Sequence, residues 1–270
     1  MADRNAAFIG AIPENYDRYL GPLFFHGYAD DLVARLPMKP GMRVLETACG
    51  TGIVTERLVA RLAGQGTLVA TDLSEPMMAH AAARLGAGAR VEWRRADGTA
   101  LPFADRSFDA IVCQFGLMFY PDKVRGVREA FRVLRPGGQY LFNVWDSLAR
   151  NAVARITHET VAAFFPSDPP QFYTVPFSLH DTTKVSAWLG AAGFDDVAPM
   201  SVAQVGTSPS AADAAIGLIE GNPIGTAIAA RRADALPEVK AALARNLAAE
   251  LGDRPLRCGL RAFVFSARKC

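Results

Sequence analysis

The sequence has little from which to build a metal centre, a disulfide framework or a membrane anchor. Its 270 residues include four cysteines, Cys49, Cys113, Cys258 and Cys270, with no paired spacing. That usage suits a reducing compartment, and a cytoplasmic location is expected. The four histidines, His26, His80, His158 and His180, lie far apart and form no ligand motif, so no metal is expected. No charge-free apolar stretch reaches the roughly 20 residues that span a bilayer. The opening MADRNAAFIG carries early charge and no long apolar core, so neither a membrane partner nor a secretory signal is expected. Charge of one sign is also lacking: the net value is +2. Only Arg254, Arg257, Arg261, Arg268 and Lys269 cluster, and they read as a charged strand edge rather than a phosphate-binding patch. No nucleic-acid partner is expected. No repeat or low-complexity tract is visible.

Apolar material is plentiful. Half of the residues are hydrophobic, enough for the core of one α/β domain with insertions. Residues 14–36 read as helical with a break at Gly21-Pro22. Strands are expected at 43–46, 68–71, 91–95, 108–114 and 139–146, with helices at 53–62, 74–85 and 122–134 between them. Alternation of this kind implies parallel crossovers and a doubly wound sheet. The second half is less regular. Helices are expected at 151–165 and 182–192, strands at 197–205 and 256–267, and two or three helices in the alanine-rich stretch between those strands. Val239, Leu243, Leu247 and Leu251 form an apolar stripe that packs onto the body.

The most informative segment is RVLETACGTG at 43–52, followed by TDLS at 71–74. An apolar strand ends in Glu46, a turn of small residues follows, and the next strand ends in Asp72. A glycine turn lets backbone approach a ligand closely, and an acid at the second strand tip can take both hydroxyls of a ribose. A dinucleotide is disfavoured. The third glycine of G-x-G-x-x-G is missing, because position 55 is Thr55, and Glu46 in the turn would repel a diphosphate. It would suit a ligand bearing an amino group. Cys49 in this turn is either a nucleophile or, as preferred here, a small residue that fits.

Five spaced segments across residues 40–146 carry a resemblance. ETACGTG is similar to an acid-x-Gly-x-Gly-x-Gly signature, although Ala48 and Cys49 stand where a glycine is often found. TDLSEPMM, ADGTALPF, FDAIVCQFGLMFYPD and REAFRVLRPGG follow in order. The chain resembles the class I S-adenosylmethionine-dependent methyltransferases, in the group related to ubiquinone/menaquinone-biosynthesis methyltransferases. The resemblance implies an α/β fold, a doubly wound and mostly parallel seven-stranded sheet with helical cap insertions. It implies S-adenosylmethionine as cofactor. Ala48, Gly50 and Gly52 would let the backbone pass the methionine part, and Glu46 would anchor the loop or meet the ammonium through water. Asp72 would hold the ribose, Leu73 and Met77 would flank the adenine, and Asp97 with the Gly98 amide would read its edge. Gln114 and Phe115 would face the sulfonium. A tyrosine of the N-terminal helix, Tyr19 or Tyr16, would reach the carboxylate.

The resulting organisation is one domain over 1–270. Residues 1–40 form a helical cover, 41–146 the cofactor core, and 147–181 with 207–255 a cap. The partner is a small, partly apolar acceptor, enclosed by cap aromatics among Phe164, Phe165, Phe172, Tyr173 and Phe177. Displacement at a sulfonium needs alignment more than acid–base help. If a base is needed, His158, Glu159 and His180 are the candidates. Two other readings stay open. One is a non-catalytic S-adenosylmethionine-binding protein or partner subunit. The other is a nicotinamide oxidoreductase, which lacks its third glycine and a Tyr-x-x-x-Lys pair.

Overall fold

A run such as Phe108–Gln114, apolar at nearly every position, is stable only where both sheet faces are covered. The computed structural model, which describes Phe8 and residues 10–270, places it there. It is strand β4, and Ala110 to Cys113 are fully buried. The other strands are β1 (Arg43–Thr47), β2 (Thr67–Asp72), β3 (Val91–Arg95), β5 (Leu134–Trp145), β6 (Asp195–Ser208) and β7 (Leu256–Arg268). They form one sheet in the order β3-β2-β1-β4-β5-β7-β6. The first five run parallel, and β7 pairs antiparallel with both β5 and β6. Strand order reverses between β1 and β4. The connections leaving these two strands therefore diverge, and a crevice opens at their C-terminal ends.

Helices cover both faces: α1 (Ile12–Asn15), α2 (His26–Ala34), α3 (Ile53–Leu62), α4 (Glu75–Leu85), α5 (Lys123–Val133), α6 (Ala152–Phe164), α7 (Thr182–Ala192), α8 (Ala211–Glu220), α9 (Ile224–Arg231) and α10 (Ala235–Leu251). The apolar stripe of α10 packs inward as expected, with Val239, Leu243 and Leu247 fully buried against the body. None of these helices is long and apolar enough to cross a membrane.

Three expectations change. The N-terminal helix does not break at Gly21-Pro22. It continues between α1 and α2 as a wide, π-type segment, Tyr16–Phe25, in which the His26 amide bonds to the Gly21 carbonyl. A proline lacks the N–H of an ordinary turn and its ring crowds the preceding turn, and widening the coil relieves both. Second, β5 begins at Leu134, before the Arg135–Gly138 stop signal. That signal is a bulge between the pairs Phe108–Leu134 and Ala110–Gln139, with Gly137 at φ 77°. Third, the basic C-terminal strand is not an edge. β7 lies between β5 and β6, and the edge is β6, where Pro199 is tolerated. Lys269 is buried, donating to the carbonyls of Phe131 and Leu134 at 2.7 and 2.8 Å. The expected cover begins at residue 1, and its residues 1–7 and 9 lie outside the described residues.

Candidate active site

The crevice is built from the tips of four neighbouring strands. After β1 the chain turns through Ala48 (φ 54°), Gly50 (φ 54°) and Gly52 (φ 81°), left-handed conformations that suit glycine and cost an alanine roughly 1–2 kcal/mol. Cys49 donates its amide to the Thr71 carbonyl at the tip of β2, which ties the turn to the next strand. Asp72 completes the tie. Its Oδ2 accepts from the Gly50 amide and its Oδ1 from the Ser74 amide, both at 2.8 Å. Burial raises the Asp72 pKa, and the amides of Ser74, Gly50 and Leu73 oppose the rise.

Beyond β3, Asp97 Oδ1 accepts from the amide and hydroxyl of Thr99 at 2.7 and 2.8 Å, leaving Oδ2 for an outside donor. The loop that follows is held by Arg132, which donates to the carbonyls of Leu101 and Phe103 and pairs with Glu129 and Asp105. Gly98 is a close-approach position: a Cβ there would stand 2.2 Å from the Tyr120 ring. At the tip of β4, Phe115 sits at φ 49°, an uncommon conformation for a bulky residue. It is pinned by fully buried Asn143, whose Oδ1 accepts the Phe115 amide at 2.9 Å. The Phe115 ring stacks on Trp145 with centroids 3.9 Å apart and planes within 3°.

Nine of the twelve expected site residues line this one cleft of about 840 Å³: Ala48, Gly50, Asp72, Leu73, Met77, Asp97, Gly98, Gln114 and Phe115. The other three lie elsewhere. Glu46 lines a smaller adjoining cavity, shared with Tyr16, Cys49 and Gln114. It is only 2% exposed, its Oε2 has no hydrogen-bond partner among the described residues, and burial pushes its pKa up to about 8. Gly52 faces away from the cleft. A Cβ there would meet that of Ala81 at 2.9 Å, so its bareness serves the packing of α3 on α4. Tyr19 is on the far side of the wide segment, under Arg18 and against Gly217. Tyr16, the other tyrosine considered, lines the cleft instead and stacks 4.7 Å from Phe25. Cys49 is buried and its thiol pKa is pushed well up, which fits the small-residue reading and not the nucleophile.

A second cavity of about 510 Å³ adjoins the first and shares Phe8, Tyr16, Phe115 and Phe119 with it. Its remaining wall includes Phe24, Phe25, Trp145, Phe172, Tyr173 and Phe177. Of the expected cap aromatics, Phe172, Tyr173 and Phe177 are present, whereas Phe164 and Phe165 are not. The expected bases are absent as well. His158 and Glu159 sit on α6, where Glu159 pairs with Arg155, and His180 Nδ1 lies 2.9 Å from the Phe177 carbonyl. No Asp, Glu, His, Lys or Arg lines this cavity among the described residues. Two of its polar groups are spent on structure: the Tyr173 hydroxyl donates to the Leu218 carbonyl, and the Asn222 amide donates to that same carbonyl and accepts from Ile224.

The sequence reading misses Asn143, Trp145, Phe119, Tyr120 and Asn222. Asn143 had a signal, as a lone polar residue in the buried run Leu141–Trp145, where an amide must find partners. The others are brought in by long-range packing.

A family profile for a methyltransferase domain matches residues 44–138. The chain is 31% identical over 173 residues to the ubiquinone/menaquinone biosynthesis C-methyltransferase UbiE of Serratia proteamaculans, covering 59% of this chain and 69% of that one. It is 36% identical over 115 residues to a demethylmenaquinone methyltransferase of Desulfitobacterium hafniense, covering 42% of this chain and 46% of that one. The chain therefore spans less than half of this second relative's length. In fold it is similar to phosphoethanolamine N-methyltransferase 2 of Haemonchus contortus, solved with phosphomonomethylethanolamine and S-adenosylhomocysteine. The TM-score is 0.61 at 18% identity, over 95% of this chain and 56% of that one. The chain belongs to the class I S-adenosylmethionine-dependent methyltransferases, is similar among them to the ubiquinone/menaquinone-biosynthesis group, and is an S-adenosylmethionine-dependent methyltransferase.

Proposed function

We propose that the chain methylates a small, partly apolar acceptor held in the aromatic cavity, with the cofactor in the adjoining cleft. The observation that carries this reading is the wall the two cavities share: Tyr16, Phe115 and Phe119 border both. When bound, S-adenosylmethionine supplies a methyl group on a sulfonium. The residues of the cleft fit that cofactor. Asp72 retains carboxylate lone pairs for the ribose hydroxyls, Asp97 Oδ2 is open for an amino donor, and Leu73 and Met77 offer apolar faces to an adenine. Glu46, buried and short of a partner, suits an ammonium, directly or through water. In this reading residues 1–40 cover the site, 41–146 hold the cofactor, and 147–181 with 207–255 enclose the acceptor.

The chain's contribution to the reaction is alignment and exclusion of water. Holding two reactants in near-attack geometry can lower a barrier by roughly 7–11 kcal/mol. With no Asp, Glu, His, Lys or Arg in the wall among the described residues, an acceptor whose nucleophile is already activated or loses its proton to water is favoured. The names of the curated relatives point to quinone precursors methylated at carbon, which fits an apolar aromatic wall.

The test has two arms. Calorimetry with S-adenosylhomocysteine measures cofactor binding, and methyl release over a panel of amines, phenols, thiols and activated carbon acids measures turnover. Tight binding with turnover of one apolar class supports the proposal. Binding without turnover of any acceptor favours the non-catalytic reading, and a thermal shift with NADH in place of S-adenosylhomocysteine removes both.

A further inference from the structure

The Glu46 carboxyl lies at the tip of β1, facing a cavity of about 300 Å³ that opens between the glycine turn and the wide N-terminal segment. The groups around it carry no opposite charge among the described residues. Thr55 faces it from α3, where its hydroxyl and amide favour the ionised form, yet Glu46 Oε2 keeps no well-formed hydrogen bond among the described residues. Asp72, from the tip of β2, adds a second negative charge nearby. From the turn comes Cys49, itself disfavoured as a thiolate by Glu46 and Asp72. Tyr16 comes from the wide segment and Gln114 from the tip of β4. Among the described residues no cation is among the groups acting on Glu46. A carboxylate in such a place is costly, because desolvation, the largest effect, together with the Asp72 charge outweighs the hydrogen bonding from Thr55 that favours ionisation.

The same cavity shares Tyr16, Ala48, Gly50 and Gln114 with the cleft. In the cofactor reading above, the amino-acid end would lie over the glycine turn and reach this cavity. We propose that Glu46 is protonated while the cleft is empty and gives its proton to solvent when the cofactor's ammonium arrives, becoming the counter-ion of that group. This rests on the cofactor reading above. The proton balance is simple: one carboxylic O–H is lost, one hydronium or buffer acid is gained, and the ammonium keeps all of its protons. The direction of the Glu46 shift, up to about 8 through burial, agrees with the geometry. Affinity for the cofactor then falls on acidification well above the range in which free carboxyls titrate. Between pH 6 and pH 7, where an amino-acid ammonium stays protonated, it should change about tenfold.

Calorimetry of the intact protein with S-adenosylhomocysteine, run at pH 6.5 in buffers of different ionisation enthalpy, counts the released protons. About one proton per ligand is expected. The comparison ligand is 5′-methylthioadenosine, which keeps the adenine, ribose and sulfur but has no ammonium. It should bind with no proton released, and its affinity should not change between pH 6 and pH 7. It also engages Asp72, so a proton coming from that residue would appear with both ligands. Glu46→Gln should abolish the release with S-adenosylhomocysteine. If that variant does not fold, the two-ligand comparison on the unaltered protein decides alone. S-adenosylhomocysteine binding without proton release overturns the proposal, as does equal release with both ligands or an undiminished release in Glu46→Gln. Failure of S-adenosylhomocysteine to bind at all overturns the cofactor reading as well, so the two failures are distinct.

Discussion

The carboxylate of Asp72 and the amide of Gly50 meet at 2.8 Å, 22 residues apart in sequence. The acid at the second strand tip thus holds the glycine turn of the first, and one side chain both shapes the turn and lines the cleft. Asp72→Ala removes both roles. Charge-assisted hydrogen bonds are worth roughly 1.5–3 kcal/mol each. Loss of two to a ribose should weaken S-adenosylhomocysteine by at least about a hundred-fold. Calorimetry reads this directly, and a change below about threefold would remove Asp72 from the site.

Glu46 leads to a stability prediction of the opposite kind from that of a paired acid. Its carboxyl titrates at about 8 in the folded chain, raised from 4.5 by burial. The folded state therefore prefers the protonated form. The cost of ionisation is absent below about pH 4.5, grows as pH rises through the interval, and levels off above about pH 8. Glu46→Gln should match the unaltered protein in stability near pH 4. It should exceed it at pH 8.5, by an amount on the order of a few kcal/mol. Urea denaturation at the two pH values measures the difference, and an equal ΔΔG at both would refute it.

How much of this is legible in the sequence depends on whether the feature is local. The turn at Ala48–Gly52, the tip acids Glu46 and Asp72, and the Asp97-Gly98 pair are short motifs attached to strands, and strand alternation puts their tips on one edge of the sheet. Tyr16 and Tyr19 are not separable this way. They sit three residues apart in a helix, and a wide turn around Pro22, invisible in a propensity reading, decides which one faces the cleft. The acceptor wall is less legible still. Phe172 and Tyr173 were within reach of a composition argument, but their contacts with Phe119 and Leu218 come from elements 45 to 53 residues away. His158, Glu159 and His180 illustrate the converse: suitable chemistry in the right region of sequence, turned to other faces by the packing of α6 and the loop before α7.

Phe172 is buried, stacks near Phe119 with centroids 6.3 Å apart, and lines the aromatic cavity without lining the cleft. Phe172→Ala should therefore separate the two ligands. Truncating a buried aromatic costs about 3–5 kcal/mol of stability when the site cannot collapse, and less when one side is already open cavity. The expected outcome is a raised KM for the acceptor with S-adenosylhomocysteine affinity within about twofold of the original. Parallel loss of both affinities would mean that the cavity and the cleft are not separate sites.

Asn143 supports Phe115 from behind. It is fully buried in β5, accepts the Phe115 amide at 2.9 Å, and reaches the Gln114 side chain at 3.5 Å. Phe115 has φ 49°, so its conformation is held by its surroundings rather than by preference. Asn143→Leu keeps the volume and leaves that amide unpaired. An unsatisfied buried donor costs roughly 1–3 kcal/mol, which urea denaturation can measure. The functional consequence should exceed what destabilisation alone produces, because a relaxed Phe115 no longer stacks on Trp145 in the wall between the two cavities. Turnover should fall at a temperature where the variant remains folded, with the loss in kcat rather than in S-adenosylhomocysteine affinity. Asn143→Asp restores an acceptor for the amide but buries a carboxyl, so any recovery of stability and turnover should be greater at acidic pH, where that carboxyl stays protonated. If Asn143→Leu loses stability but keeps its full kcat, Phe115 is a core residue and does not position the reactants.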